Sequence, residues 1–179
     1  MTEAGSVYGQ ALYDLAKAVI LSETIDGQLS ALAESFRQEP DFLKLLKSPN
    51  LSKEEKCQVL DRSFQKECHP YVVNFLKILV EKGRICHFFD CFTAYREQYY
   101  YDHNILPVTA MTAVAMSDMQ LQRLRKKLAT LTGKQIALTN CVTADVLGGV
   151  RLDYDGTRLD DTVAHRLSAI RTMLNSQVL

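Results

Sequence analysis

Residues 70–83 have the sequence PYVVNFLKILVEKG, and this stretch decides the fold of the first half of the chain. It runs from a proline suited to the first turn of a helix to a glycine suited to the helix end. A helix of this composition is apolar nearly all round, which predicts a central, buried position. Its polar residues Asn74, Lys77 and Glu81 follow at i, i+3 and i+7, so we expect them to share one narrow exposed edge.

Helical periodicity extends on both sides of this segment, from Val7 to about Ile105. On the N-terminal side it predicts four helices. The third begins at Pro40, and the fourth follows a capping box formed by Ser52 and Glu55. A sixth helix follows the glycine. Six helices with short connections in about 100 residues are typical of a compact bundle.

The pattern changes at Pro107. Apolar residues alternate from Val108 to Met116, which predicts a strand, and Ser117 with Gln120 then forms a capping box for a leucine-striped helix. Further strands lead to a hairpin turn at Asp155-Gly156, and a last helix follows. The predicted fold is an N-terminal all-α six-helix bundle, residues 1–105, followed by a small α+β C-terminal domain, residues 106–179.

The charge of the chain is balanced, with 21 basic and 21 acidic residues. Residues 1–105 carry 12 basic and 15 acidic side chains and the remainder carries 9 and 6, so the two parts differ in sign. Zero net charge disfavours nucleic-acid binding. We find no signal peptide and no apolar stretch long enough to span a bilayer, so we expect a soluble, cytoplasmic protein.

No motif predicts a catalytic site, a cofactor or a metal. On a helix, Cys86 and Cys91 would point about 140° apart. A calcium loop starting at Asp153 fails because Ala164 stands where a glutamate is needed. A basic run, 123–127, indicates a solvated helix face. A small RNA-binding or thiol-dependent protein is kept as the alternative function.

The first helix has apolar residues on more than one side. Two interpretations of this surface stay open: both sides pack within the bundle, or an amphipathic helix of a partner lies in a groove beside it. The fifth helix would form the other wall of that groove, with Asn74 and Ile78 at its rim.

Several segments together resemble the ATP synthase delta subunit family, whose mitochondrial member is the oligomycin-sensitivity-conferring protein. They occur in the family's order over nearly the whole chain: residues 8–16 (YGQALYDLA), 46–56, 74–84 (NFLKILVEKGR), 147–152 (LGGVRL) and 159–167. Two departures are Gly9, where an alanine is usual, and Ala164-His165, where a basic residue is common.

The resemblance implies a non-catalytic connector without cofactor, peripheral on the cytoplasmic side of the bacterial inner membrane and touching the membrane only through its complex. The N-terminal domain would hold the N-terminal helix of an alpha subunit. Its groove residues would be Tyr8, Ala11, Leu12, Leu15, Asn74 and Ile78. The C-terminal domain would engage the C-terminal end of the b subunit, and the matching positions there are Gly148, Gly149, Leu167 and Ile170.

Overall fold

The computed structural model describes residues 2–144, 146, 148–154 and 156–160. Its N-terminal region is helical, which confirms the fold class predicted for that part of the chain. The helices are α1 Glu3–Ala18, α2 Ser22–Gln38, α3 Pro40–Lys47, α4 Lys53–Phe64, α5 Pro70–Glu81 and α6 Phe88–Asp102, with a 3-10 turn at Ile85–His87.

Side-chain caps explain where several helices begin. The Thr2 hydroxyl accepts a hydrogen bond from the Gly5 amide and starts α1. The predicted capping box before α4 is present, with Ser52 and Glu55 each accepting from the other's backbone amide. His69 caps α5 ahead of the proline at its first turn. These caps satisfy amide groups that a helix leaves free at its start.

The core of the helical region is built around α5, as its composition predicts. Six of its twelve residues are buried: Val72, Val73, Phe75, Leu76, Leu79 and Val80. Aromatic pairs extend this core, since the rings of Phe36 and Phe88 lie 4.9 Å apart and those of Tyr13 and Tyr95 lie 5.4 Å apart. Burial of this apolar surface is the main stabilising contribution to the helical fold.

A mixed four-stranded sheet follows. Its elements are β1 Ile105–Thr112, α7 Asp118–Thr132, β2 Gln135–Val142, β3 Val150–Tyr154 and β4 Thr157–Asp160. The strand order is β2-β1-β3-β4; β1 and β2 are parallel, and the other two pairs are antiparallel. Leu128 of α7 packs on Leu106, Val108 and Ile136 of the sheet. β3 and β4 form the predicted hairpin, with Gly156 at φ 70°.

Two compact units divide between Tyr99 and Tyr100, earlier than the boundary predicted after Ile105. The last turn of α6 therefore groups with the sheet. The predicted final helix lies outside the described residues. Among the residues that are described, no helix combines the length and the apolar character that crossing a membrane requires.

Candidate functional site

An apolar groove of about 500 Å³ lies between α1 and α5. All six residues that the sequence analysis assigned to the alpha-subunit groove line it, together with two others. The lining residues are Tyr8, Ala11, Leu12, Leu15, Tyr71, Asn74, Phe75 and Ile78. The sequence left open whether the apolar sides of the first helix were all packed within the bundle; the structure places one of them along this open groove.

Exposure of large apolar side chains marks this groove as unfilled. Leu15 is 42% exposed and Ile78 is 43% exposed, whereas Leu12 at the floor is only 5% exposed. Leucine and isoleucine exposed together along a concave surface are a common sign of a site for another protein chain. The polar rim residue Asn74 is exposed and adds hydrogen-bonding groups to an otherwise apolar wall.

Tyr71 and Phe75 belong to the groove but were missing from the sequence-based set. Helical spacing contained the signal, because Tyr71, Phe75 and Ile78 follow at i, i+4 and i+7 on α5. Phe75 is 6% exposed and serves both the core and the groove floor. Such double use hides a groove residue among core residues when only the sequence pattern is considered.

Two glycines bring α1 close to α6 and so fix the first wall of the groove. A Cβ atom added at Gly9 would lie 2.3 Å from the backbone carbonyl oxygen of Cys91 and 2.8 Å from the Cβ of Ala94. At Gly5 it would lie 2.4 Å from the Cβ of Asp90. Glycine is therefore required at both positions for the observed approach of the two helices.

The start of α1 is also tied to α6 by hydrogen bonds. The Thr2 hydroxyl donates to a carboxylate oxygen of Asp90 at 2.7 Å, and the Thr2 amide donates to the same oxygen at 3.1 Å. Both hydrogen bonds lower the pKa of the Asp90 carboxyl from its usual value, and the bond from the Thr2 hydroxyl has the larger effect. The contact anchors the N-terminal end of the groove wall.

Elsewhere in the helical unit, α2 and α6 are joined by a half-buried polar cluster. The Tyr95 hydroxyl donates to the Ser22 carbonyl oxygen at 2.8 Å, and Arg96 lies 3.4 Å from Asp26. Burial raises the pKa of the Asp26 carboxyl, and the Arg96 guanidinium opposes that shift. The pKa of the Tyr95 hydroxyl is raised, chiefly by burial and to a smaller extent by the nearby Asp26 charge.

The second wall, α5, is fixed to α4 by an ion pair. The Lys77 ammonium lies 2.7 Å from an Asp61 carboxylate oxygen, and both side chains are partly shielded from solvent. Beyond the end of α5, the Arg84 guanidinium lies 5.5 Å from the centre of the Tyr8 ring. This cation–π contact places a positive charge at the Tyr8 end of the groove.

The residues assigned to the b-subunit contact are only partly described. Gly148 is half-buried and Gly149 is exposed, with φ 88° immediately before β3. This left-handed conformation favours glycine. Leu167 and Ile170 lie outside the described residues, so the structure gives no geometry that joins them to the glycines.

The basic run and the cysteines, which suggested RNA binding or thiol chemistry, lie in different elements of the fold. Arg123, Arg125, Lys126 and Lys127 are exposed on α7, as expected for a solvated helix face. Cys86 and Cys141 are exposed free thiols, whereas Cys91 is buried. Burial raises the pKa of the Cys91 thiol to about 11, which keeps it protonated and unreactive at neutral pH.

Comparison with known proteins gives one consistent result. The family model described as "ATP synthase delta (OSCP) subunit" matches residues 5–174. The ATP synthase subunit delta of Clostridioides difficile (strain 630) is 31% identical over 172 residues, covering 96% of this chain and 95% of that protein. The subunit delta of Alkaliphilus metalliredigens (strain QYMF) is 31% identical over 167 residues, covering 93% of each.

A solved structure shows the same fold. A chain in the structure of the Toxoplasma gondii mitochondrial ATP synthase hexamer superposes with a TM-score of 0.76 at 21% identity, covering 97% of this chain and 98% of that one. These matches place the protein among the non-catalytic subunits of ATP synthases. Within that class, the chain belongs to the ATP synthase delta (OSCP) subunit family, the peripheral-stalk component that links the F1 head to the stator.

Proposed function

We propose that the groove between α1 and α5 receives the N-terminal helix of an alpha subunit and thereby attaches the chain to the catalytic head. The observation that carries this proposal is the open apolar groove whose lining includes every residue assigned from the family resemblance. Two parallel rows of apolar side chains flanked by a polar rim suit the helix-in-groove mode of recognition.

The C-terminal part, beginning near β1, engages the C-terminal end of the b-subunit stalk in this proposal. Its support is the resemblance at residues 147–152 and 159–167, with Gly148 and Gly149 exposed or half-buried before β3. The protein would then lie on the cytoplasmic side of the bacterial inner membrane and meet the membrane only through its complex.

The mechanism is mechanical rather than chemical. The head must be held against the torque of the turning rotor, so attachments at both ends of the connector must persist through each rotation. Apolar anchors in a preformed groove suit this task because they slow dissociation. Most differences in affinity between related complexes lie in the dissociation rate. Neither nucleotide binding nor bond chemistry is required of the chain.

Replacing Ala11 by tryptophan tests the groove. Ala11 is exposed at the groove, so the larger side chain fills the space without disturbing the core. Titration of the full-length variant into catalytic heads depleted of their delta subunit should show binding weakened by at least about tenfold, with an unchanged unfolding midpoint. Unchanged affinity would remove the groove as the site of attachment.

A further inference from the structure

The two edge strands of the sheet are built differently. β4 has only four residues, and two of them, Arg158 and Asp160, are charged. β2 has eight residues, with neither a charge nor a proline among them. Its pairing with β1 continues residue by residue from Gln135 to Val142, so no bulge interrupts it. Short length, charge, proline and bulges are the features that protect an edge strand from further pairing, and β2 has none of them.

The outer side of β2 presents a row of free backbone groups. The Gln135 amide donates to the Asn104 carbonyl oxygen at 3.1 Å, and at the other end the Thr143 amide donates to β1 at 3.0 Å. Successive residues of a paired strand direct their backbone groups to alternate sides, so the even-numbered residues between these two face outward. Within the described part of the chain, no strand pairs with that side. The outward residues are Ile136, Leu138, Asn140 and Val142.

The surroundings of this edge are positively charged. Residues 118–142, which form α7, β2 and the turn between them, contain five basic side chains and one carboxylate, that of Asp118. α7 packs on the sheet through Leu128, which contacts Ile136 of β2, so its charges lie one layer from the edge. All five basic side chains are exposed, and none forms an ion pair among the described residues: Arg123, Arg125, Lys126, Lys127 and Lys134.

An unprotected edge of this kind suits an extended chain, which adds to the sheet as a further strand. The backbone hydrogen bonds supply affinity in this mode of recognition, and alternate side chains supply specificity. From Ile136 to Val142 the outward groups span about 20 Å, at about 3.3 Å per residue, which an occupant of about seven residues would match. Carboxylates on that occupant would meet the unpaired cations beside the edge.

We propose that the outer edge of β2 receives an extended segment that carries carboxylates and adds to the sheet as a further strand. The segment belongs to the b-subunit stalk, so this inference rests on the proposed attachment of the C-terminal part of the chain to that stalk. It names the surface that makes the attachment and the way in which the two chains pair. The backbone of β2 holds the segment, and the cations of α7 select an acidic sequence.

Hydrogen exchange of the full-length chain tests the pairing directly. In the free chain the four outward amides should exchange much faster than those of Ala137, Thr139 and Cys141, which are bonded to β1. Binding of a soluble stalk of b subunits should slow the outward amides by at least about tenfold, because each then donates to the added strand. The alternation between neighbouring amides should therefore disappear. Exchange in the complex, followed by quenching and mass spectrometry at single-residue resolution, gives these rates.

Proline at the exposed end of the edge tests the same bonds by affinity. Val142 is 53% exposed, and Val142→Pro removes an outward donor while the Cys141 and Thr143 amides still bond to β1. Affinity for the stalk should fall about tenfold, because a hydrogen bond is lost and the proline ring obstructs the added strand. Val142→Thr keeps the amide and the branched side chain and should bind like the unmodified chain. Equal affinity of the three chains would contradict the pairing.

Charge reversal on α7 tests the acidic character of the segment. The double change Lys126→Glu with Lys127→Glu should weaken binding to the stalk and reduce its dependence on salt. Lys66→Glu reverses an exposed lysine of the helical unit and should leave both properties unchanged. If the double variant keeps the affinity and the salt dependence of the unmodified chain, the segment that binds is not acidic.

Failure of this inference can be told apart from failure of the proposed function. If the stalk retains the chain while the outward amides exchange as fast as in the free chain, the attachment to the stalk stands and the β2 edge is not its site. If the stalk does not retain the chain at all, both proposals fall. Retention together with selective slowing of the four outward amides supports both.

Discussion

At the scale of single residues, the approach of α1 to α6 depends on glycines that the sequence pattern does not explain. From the sequence, Gly9 was only a departure from the alanine usual in the family. The structure supplies a reason, because the backbone of α6 occupies the space that an alanine Cβ would need. A close approach between helices distant in the chain leaves no local periodic signal, so it could not be predicted.

The replacement Gly9→Ala should therefore destabilise the protein by about 1–3 kcal/mol, since the clash involves backbone atoms with little freedom to move. The matched control is Gly27→Ala in α2, where an added Cβ meets no atom within 4 Å. That change should stabilise by about 0.5–1 kcal/mol because alanine is the better helix former. Urea unfolding measures both; equal effects would contradict the close packing.

The free thiols give a second prediction at this scale. Iodoacetamide near pH 8 should modify the exposed Cys86 and Cys141 in the native protein and spare the buried Cys91. Because the pKa of the Cys91 thiol is raised, only a very small fraction of it is present as the thiolate that reacts. Peptide mass spectrometry locates the labels. Binding to the heads should persist after labelling. Its loss would support the thiol-dependent alternative.

At the scale of elements, most of the helices could be predicted because their signals are local. The capping boxes before α4 and α7 are confirmed, as is the central position of α5. The end of α1 was less predictable. Apolar spacing continues through Val19 and Ile20, yet the helix ends at Ala18 because Ile20 adopts a conformation that its residue type disfavours.

The exit of α6 shows a similar limit. The run of tyrosines near 99–101 carries no local signal for where the helix ends, and the helix stays regular to Asp102. Tyr99 packs against the core of the first unit, which supports the last turns of the helix. Tertiary contacts of this kind override local composition. The groove was predictable as two apolar rows, but only the fold shows that the space between them is open.

At the scale of the whole molecule, the sequence predicted a helical part followed by a mixed part but not the strand order. The parallel pairing of β1 with β2 and the insertion of β1 between β2 and β3 depend on contacts between distant segments. Strand spacing alone does not specify such pairings, whereas the β3–β4 hairpin has a turn signal in the sequence. The resemblance to the family depends on several short segments that occur in the family's order over nearly the full length of the chain.

The chain is a peripheral-stalk component that links the head to the stator, and a bridging experiment tests its proposed attachment at each end most directly. An immobilised soluble stalk of b subunits should capture delta-depleted heads only when the full-length chain is added. The Ala11→Trp chain should still be retained by the stalk but bring down few heads. Equal capture of heads with the unmodified chain, with the variant and with no chain at all would contradict a connector that works through the groove.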